Sequence, residues 1–233
     1  MKALILNSGT GTRMGNIGTC KCLVEVAEGT TIADIQLRLL TECGINDICM
    51  TTGFYAVRLE NYLRTRYPSV NFEFINNPLY GETNYIYSIY LAQEYLHGDI
   101  LMIHGDLLFE KSLLKDIINS PESCMAVDTG KPLPEKDFKA VVEDTVNGKI
   151  TAVGVNFFEN AVYAQPLYKL FYKDWQMWAA EIARFCREGS RNAYAEDALN
   201  IKLLPLDAMG RHCFEVDNEN DLKFAKAVFK KCN

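Results

Sequence analysis

Long apolar runs, basic stretches and clustered metal-binding residues are all missing from this sequence, and each absence removes a class of function. No stretch is long and apolar enough to span a bilayer as a helix. Lys and Arg number 24 against 30 Asp and Glu, a net charge of -6, with no long basic run. A nucleic-acid binder normally carries a basic stripe, so that class is set aside. The first ten residues, "MKALILNSGT", hold a short apolar run without a small-residue cleavage site. A signal peptide is therefore not expected, and the expected compartment is the cytoplasm.

Zinc and disulfide frameworks are equally unsupported. Eight cysteines are scattered through the chain, none in a C-x-x-C spacing, and Cys20-Lys21-Cys22 is too tight for a zinc knuckle. Reduced thiols are the expectation. The three histidines, His97, His104 and His212, form no H-x-x-x-H pair. Ser-His-Asp, Cys-His and G-x-S-x-G signatures of nucleophilic catalysis are absent too.

What is present is a sequence that is 48% apolar, enough for a substantial core, over 233 residues. One domain covering 1–233 is the simplest organisation. "KALILN" is a short apolar run ending in a Gly cluster and reads as a buried strand. "IADIQLRLLTECGI" has a helical period in Ile32, Ile35, Leu39 and Leu40, with Gly44 placed to stop it. "DICMTTG", "VNFEFINN" and "DILMIHGDLLF" read as further strands, separated by helices over "YAVRLENYLRTRYP" and "NYIYSIYLAQEYL". This alternation predicts an α/β fold, a Rossmann-like mixed and mostly parallel sheet with helices on both faces. In the second half, "FKAVVEDTVNGKITAVGVNFF" predicts two strands around Asn147-Gly148. "YKDWQMWAAEIARFCREG" predicts an amphipathic helix, and "HCFEVDNENDLKFAKAVFKK" a strand meeting a helix.

Ligands in such sheets bind beyond the carboxyl ends of the strands. The glycine loop, Thr52-Gly53 and Gly105-Asp106 all fall at such ends. The loop, "LNSGTGTRMGNIGTCKCLVEV", combines small residues with Arg13 and Lys21, a composition suited to an anion. It is not a Walker loop, because no Gly-Lys-Ser/Thr end follows. Nor is it a dinucleotide fingerprint, because position 14 is Met and Gly15 comes one residue late.

The remaining pattern, G-x-G-x-R-M-G with Lys21 eight residues beyond Arg13, resembles the nucleotidyltransferases that join a nucleoside triphosphate to a phosphorylated small molecule. Within that superfamily, "GINDI" and the run Asn84 to Leu91 are similar to bacterial phosphocholine cytidylyltransferases. The resemblance implies a nucleotide-binding half over 1–110 and an acceptor-binding half over 111–233. It implies CTP, or another nucleoside triphosphate, and a small phosphorylated or phosphonate acceptor as partners, with Mg²⁺ as cofactor. The loop residues Asn7, Ser8, Gly9, Thr10, Gly11, Thr12 and Arg13, with Thr52, Gly53, Asn84 and Ser88, are the implied nucleotide-binding set. Arg13 and Lys21 are implied as catalytic cations, Asp106 and Asp217 as metal ligands, and Tyr194 with Glu196 as the acceptor site.

Other roles fit some of these residues. Asp106 also suits a helix cap before "LLFEKSLL", and Asn218 or Asp221 suits a cap of the last helix as well as Asp217 does. Asn84 at a helix start is equally an N-cap, and a solvated face is the alternative for Lys21 that most needs a test. Phe138-Lys139 stands where the resembling enzymes have a tryptophan, which leaves ethanolamine phosphate, an aminoalkyl phosphonate or another small phosphoester open as acceptor. A sugar-1-phosphate nucleotidyltransferase and a non-catalytic nucleotide sensor are the rival functions.

Overall fold

The computed structural model describes residues 1–9, 11, 18–144 and 147–229. Strand β1 (Lys2–Leu6) leads into the glycine loop, after which β2 (Glu25–Ala27) and β3 (Thr30–Thr31) form a small hairpin. Helix α1 (Ile32–Glu42) starts at a capping box: Thr31 Oγ1 accepts from the Asp34 amide at 3.1 Å, and Asp34 accepts from the Thr31 amide at 2.8 Å. Then come β4 (Asp47–Thr52), α2 (Ala56–Arg66), β5 (Asn71–Asn76), α3 (Tyr85–Ala92) and β6 (Ile100–His104). The run after Gly105-Asp106 is a separate short strand, β7 (Leu107–Phe109), and α4 (Lys111–Asn119) begins only beyond it. The second half continues with β8 (Cys124–Asp128), β9 (Lys139–Val142), β10 (Ile150–Gly154), β11 (Ala161–Leu170) and α5 (Tyr172–Arg187). It closes with β12 (Leu204–Asp207), β13 (Cys213–Glu215) and α6 (Glu219–Phe229).

The main sheet has the order β10-β9-β11-β6-β1-β4-β5. It is parallel from β6 to β5 and antiparallel where β11 joins. β11 is the junction of the two halves: Tyr168 lies between Met102 and Met125, and Tyr163 between Lys139 and Asp128. The strands alternate faces as a pleat requires. Ala3 and Ile5 of β1 join the core under α1, α2, α4 and α6, whereas Leu4 and Leu6 join the core under α3 and α5. Helices therefore cover both faces, as the alternating sequence pattern predicts. No helix among the described residues is long and apolar enough to cross a membrane.

Register decides where the site lies. Leu6 pairs with Thr51 on one side and His104 on the other, so β1, β4 and β6 end at one level. Two glycines let the chain segments beyond these ends pack together. A Cβ on Gly53 would stand 2.3 Å from the Ser8 carbonyl oxygen, and one on Gly105 would stand 1.8 Å from Asn7 Oδ1. Gln36 of α1 reaches up to prop the same level, donating to the carbonyls of His104 at 2.9 Å and Leu107 at 2.7 Å.

Candidate active site

A cleft of about 480 Å³ opens above these strand ends, a size suited to a small-molecule ligand. Ser8, Gly9 and Gly11 of the glycine loop form one wall, with Tyr80, Thr83 and Asn84 beside them. Lys21, Asp106, Asp217, His104 and Glu215 also line it. Phe138, Tyr85 and Tyr194, with Lys136 and Asp137, line it as well.

Lys21 opens a one-turn 3-10 helix, Lys21–Leu23, anchored by the buried thiols of Cys20 and Cys22. Its ammonium lies 2.5 Å from Asp106 Oδ2 and also bonds Asp217 Oδ1. All three side chains are largely withdrawn from water, at 12%, 18% and 15% exposure, so this contact is less screened than a surface ion pair. Burial alone would lower the Lys21 pKa; the two carboxylates outweigh it and raise it. Burial pushes Asp106 up, and the charges of Lys21 and His104 bring it below its ordinary value.

The long-range partner arrives through one small ladder. β13 pairs antiparallel with β7, Glu215 opposite Leu107, and the Val216 amide donates to the Asp106 carbonyl at 3.0 Å. This brings Glu215 within 2.8 Å of His104 Nδ1 from 111 residues away in sequence. Burial works against a charged imidazole, yet the Glu215 hydrogen bond and charge, with Asp106, raise His104 to about 9. Glu215 is itself raised by burial and by Asp106. His104 Nε2 and Asn7 Nδ2 have no hydrogen-bond partner among the described residues, and both residues line the cleft.

The helix-capping alternatives resolve by position. Asp106 does not cap a helix, because β7 intervenes and Glu110 occupies the cap position of α4. Asn218 and Asp221 hold the start of α6: Asn218 Oδ1 accepts from the amides of Asn220 and Asp221, and Asp221 Oδ2 accepts from those of Asp217 and Asn218. That leaves the Asp217 carboxylate directed at Lys21. Asn84 does cap α3, accepting from the Tyr85 amide at 2.8 Å, and it lines the cleft as well.

Four residues expected in contact with a ligand lie behind the cleft wall. Ser88 is buried and shares a 2.7 Å hydrogen bond with Ser8 Oγ, while Asn77 Nδ2 donates to Ser88 Oγ at 2.9 Å and Thr83 Oγ1 at 3.1 Å. Ser88 is thus a strut of the glycine loop. Thr52 is fully buried, and Gly53 packs beneath Ser8. Glu196 is buried, accepts a 2.7 Å bond from the Tyr168 hydroxyl and bonds the Tyr85 hydroxyl, so its carboxylate is engaged by two tyrosines. Neighbouring Asp197 is also engaged, accepting from the Tyr194 amide at 2.8 Å. Thr10, Thr12 and Arg13 lie outside the described residues.

Tyr194 lines the cleft, and it is not alone. Its ring meets Phe138 edge-on at 5.1 Å and Tyr85 at 6.1 Å. Besides Asp106 and Asp217, two further acids share the cleft with these rings, Asp137 and Glu215. Sequence reading missed both, along with His104. Only the β13–β7 pairing brings Glu215 here, and no local pattern announces it.

Comparison with known proteins accords with this geometry. Residues 3–196 match the model of the MobA-like NTP transferase domain. The choline-phosphate cytidylyltransferase of Streptococcus pneumoniae is 33% identical over the full length of both chains. The CMP-5'-(3-aminopropyl)phosphonate synthase of Streptomyces rubellomurinus is 28% identical over 135 residues, 57% of this chain; the match spans about a fifth (21%) of that longer protein. Among solved structures, a putative glucose-1-phosphate thymidylyltransferase from Bacillus anthracis superposes with a TM-score of 0.81 at 19% identity, covering 100% of this chain and 96% of the other. The chain belongs to the MobA-like NTP transferase family of nucleotidyltransferases.

Proposed function

We propose that this enzyme transfers CMP from CTP to a small phosphorylated amino alcohol or aminoalkyl phosphonate, releasing pyrophosphate. The observation that carries this reading is the three-ring wall of Tyr85, Phe138 and Tyr194, which shares one cleft with Asp137, Glu215 and the Lys21–Asp106–Asp217 cluster. Aromatic faces beside carboxylates suit an ammonium, and each ring contributes roughly 0.5–2 kcal/mol to holding one. The choline-phosphate and aminopropylphosphonate relatives name acceptors of this chemistry.

The transfer needs no general base. An acceptor phosphate or phosphonate is already an anion at neutral pH; one of its oxygens bonds the α-phosphorus as the bond to the bridging oxygen of pyrophosphate breaks. What the protein supplies is alignment and positive charge. Backbone N–H groups of the glycine loop would face the triphosphate, and Arg13 would hold its β,γ end, where a planar fork suits phosphate. Lys21, a point charge on a flexible stem, would leave the carboxylates for the α-phosphate and the incoming oxygen.

Asp106 and Asp217 reach the same ammonium, so their oxygens converge on one point in the cleft. Hard oxygen donors of this kind fit Mg²⁺, and Glu215 stands within reach of Asp106 as a further oxygen donor. Such an ion supplies charge neutralisation on the phosphates.

Pyrophosphate release measured with CTP, UTP, GTP and dTTP against phosphorylated amines, phosphonates and sugar 1-phosphates tests the reading. It expects turnover with CTP and the cationic acceptors. Turnover confined to sugar 1-phosphates, or none with any pair, contradicts it.

A further inference from the structure

Two thiols flank Lys21, and the transfer chemistry uses neither. Cys20 lines the cleft, Cys22 is fully buried in the core behind it, and their sulfurs lie 3.2 Å apart. Cys20 is itself only 3% exposed, but it borders the cleft from which a small oxidant would approach, with its partner already in contact. We propose that Cys20 and Cys22 form an oxidation site at which hydrogen peroxide closes a disulfide across Lys21 and switches the enzyme off.

The step balances in two stages. The Cys20 thiolate attacks a peroxide oxygen, giving a sulfenic acid and hydroxide. The Cys22 sulfur then displaces water from that sulfenic acid, forming the S–S bond; in sum two thiols and one peroxide give one disulfide and two waters. Cys20 is suited to the first stage, because the Cys22 hydrogen bond lowers its thiol pKa against burial and the Asp106 charge. Cys22, raised by burial, is suited to the resolving role.

Closure draws the sulfurs from 3.2 Å to the roughly 2.0 Å of a covalent bond. Lys21 is the single residue spanned by that ring, and its ammonium is the group that contacts Asp106 and Asp217. A ring this small re-sets the backbone angles of the residue inside it, so the Lys21 side chain leaves its alignment. Activity then falls by roughly 10²–10³, the usual loss for one transition-state contact.

Trypsin makes the test direct. It cuts after Arg13, Lys21 and Arg38, separating the peptide 14–21, which carries Cys20, from 22–38, which carries Cys22. The full chain is exposed to hydrogen peroxide, remaining thiols are alkylated, and the digest is weighed without reduction. The expected result is the two peptides joined, two hydrogens lighter than their sum, with turnover lost in parallel and both changes reversed by dithiothreitol. Cys22→Ala should yield no joined peptide. Separate peptides after oxidation, or either cysteine joined to another thiol, overturn the site. Joined peptides with undiminished turnover overturn the switch. The peptide masses are read without any substrate, so this result stands apart from the assignment of CTP and acceptor.

Discussion

The ammonium of Lys21 lies 2.5 Å from the Asp106 carboxylate, bridging it to Asp217 at the ends of three strands. A cation in that place is either a structural pin or a catalytic charge, and the two differ in kinetics. If it moves to the phosphates, Lys21→Ala lowers kcat by about 10²–10³ with little change in KM for CTP. Steady-state kinetics of the variant decide; an unchanged kcat with a raised KM would make Lys21 a ground-state contact only.

Asp106→Asn keeps the shape of the turn that Gln36 props and removes the charge. Turnover in magnesium buffer is expected to collapse while the far-UV circular dichroism stays that of the parent. Near-normal turnover would remove Asp106 from the metal set.

Tyr194→Leu keeps apolar bulk but deletes the ring that meets Phe138 and Tyr85. KM for a cationic acceptor should rise about 2- to 30-fold, with KM for CTP nearly constant. Equal changes in both constants would point to a general disturbance of the cleft.

Glu196 acts one layer back, so its loss should register first in stability. Glu196→Gln replaces a charged acceptor shared by the Tyr85 and Tyr168 hydroxyls and should cost roughly 1.5–3 kcal/mol. Denaturant unfolding measures this. A raised acceptor KM with unchanged stability would place its carboxylate in direct contact with the acceptor instead.

Asp34 gives a pH signature outside the cleft. Burial raises its pKa, but the hydroxyls of Tyr67 and Tyr62 and the capping bonds of Thr31 outweigh this and bring it below 3.8. A carboxylate depressed on folding stabilises fully above its unfolded value, about 3.9, and loses that contribution as pH falls through the folded value. The thermal midpoint of the parent should therefore fall below about pH 4 more steeply than that of Asp34→Asn. Parallel curves would contradict the assignment.

Much of this was legible in the sequence. Apolar runs ending in glycine marked β1, β4 and β6, and the shared level of their ends brings the glycine loop, Thr52-Gly53 and Gly105-Asp106 together. Local pattern failed where a side chain's direction depends on what packs against it. Asp217, Asn218 and Asp221 look alike as caps until α6 is seen to use the last two. Glu196 beside Tyr194 reads as an acceptor carboxylate, yet the turn points it inward at two tyrosines. His104 and Glu215 meet only because β13 returns to β7, a pairing no short motif encodes.

The most direct measurement compares two acceptors of one shape in the parent enzyme with CTP: phosphocholine and its uncharged analogue 3,3-dimethylbutyl phosphate. With three rings along the cleft and Asp137 and Glu215 among its four carboxylates, kcat/KM should favour the charged acceptor by roughly tenfold or more. Equal kcat/KM for the two would contradict a cation site at Tyr85, Phe138 and Tyr194, and with it the proposed acceptor class.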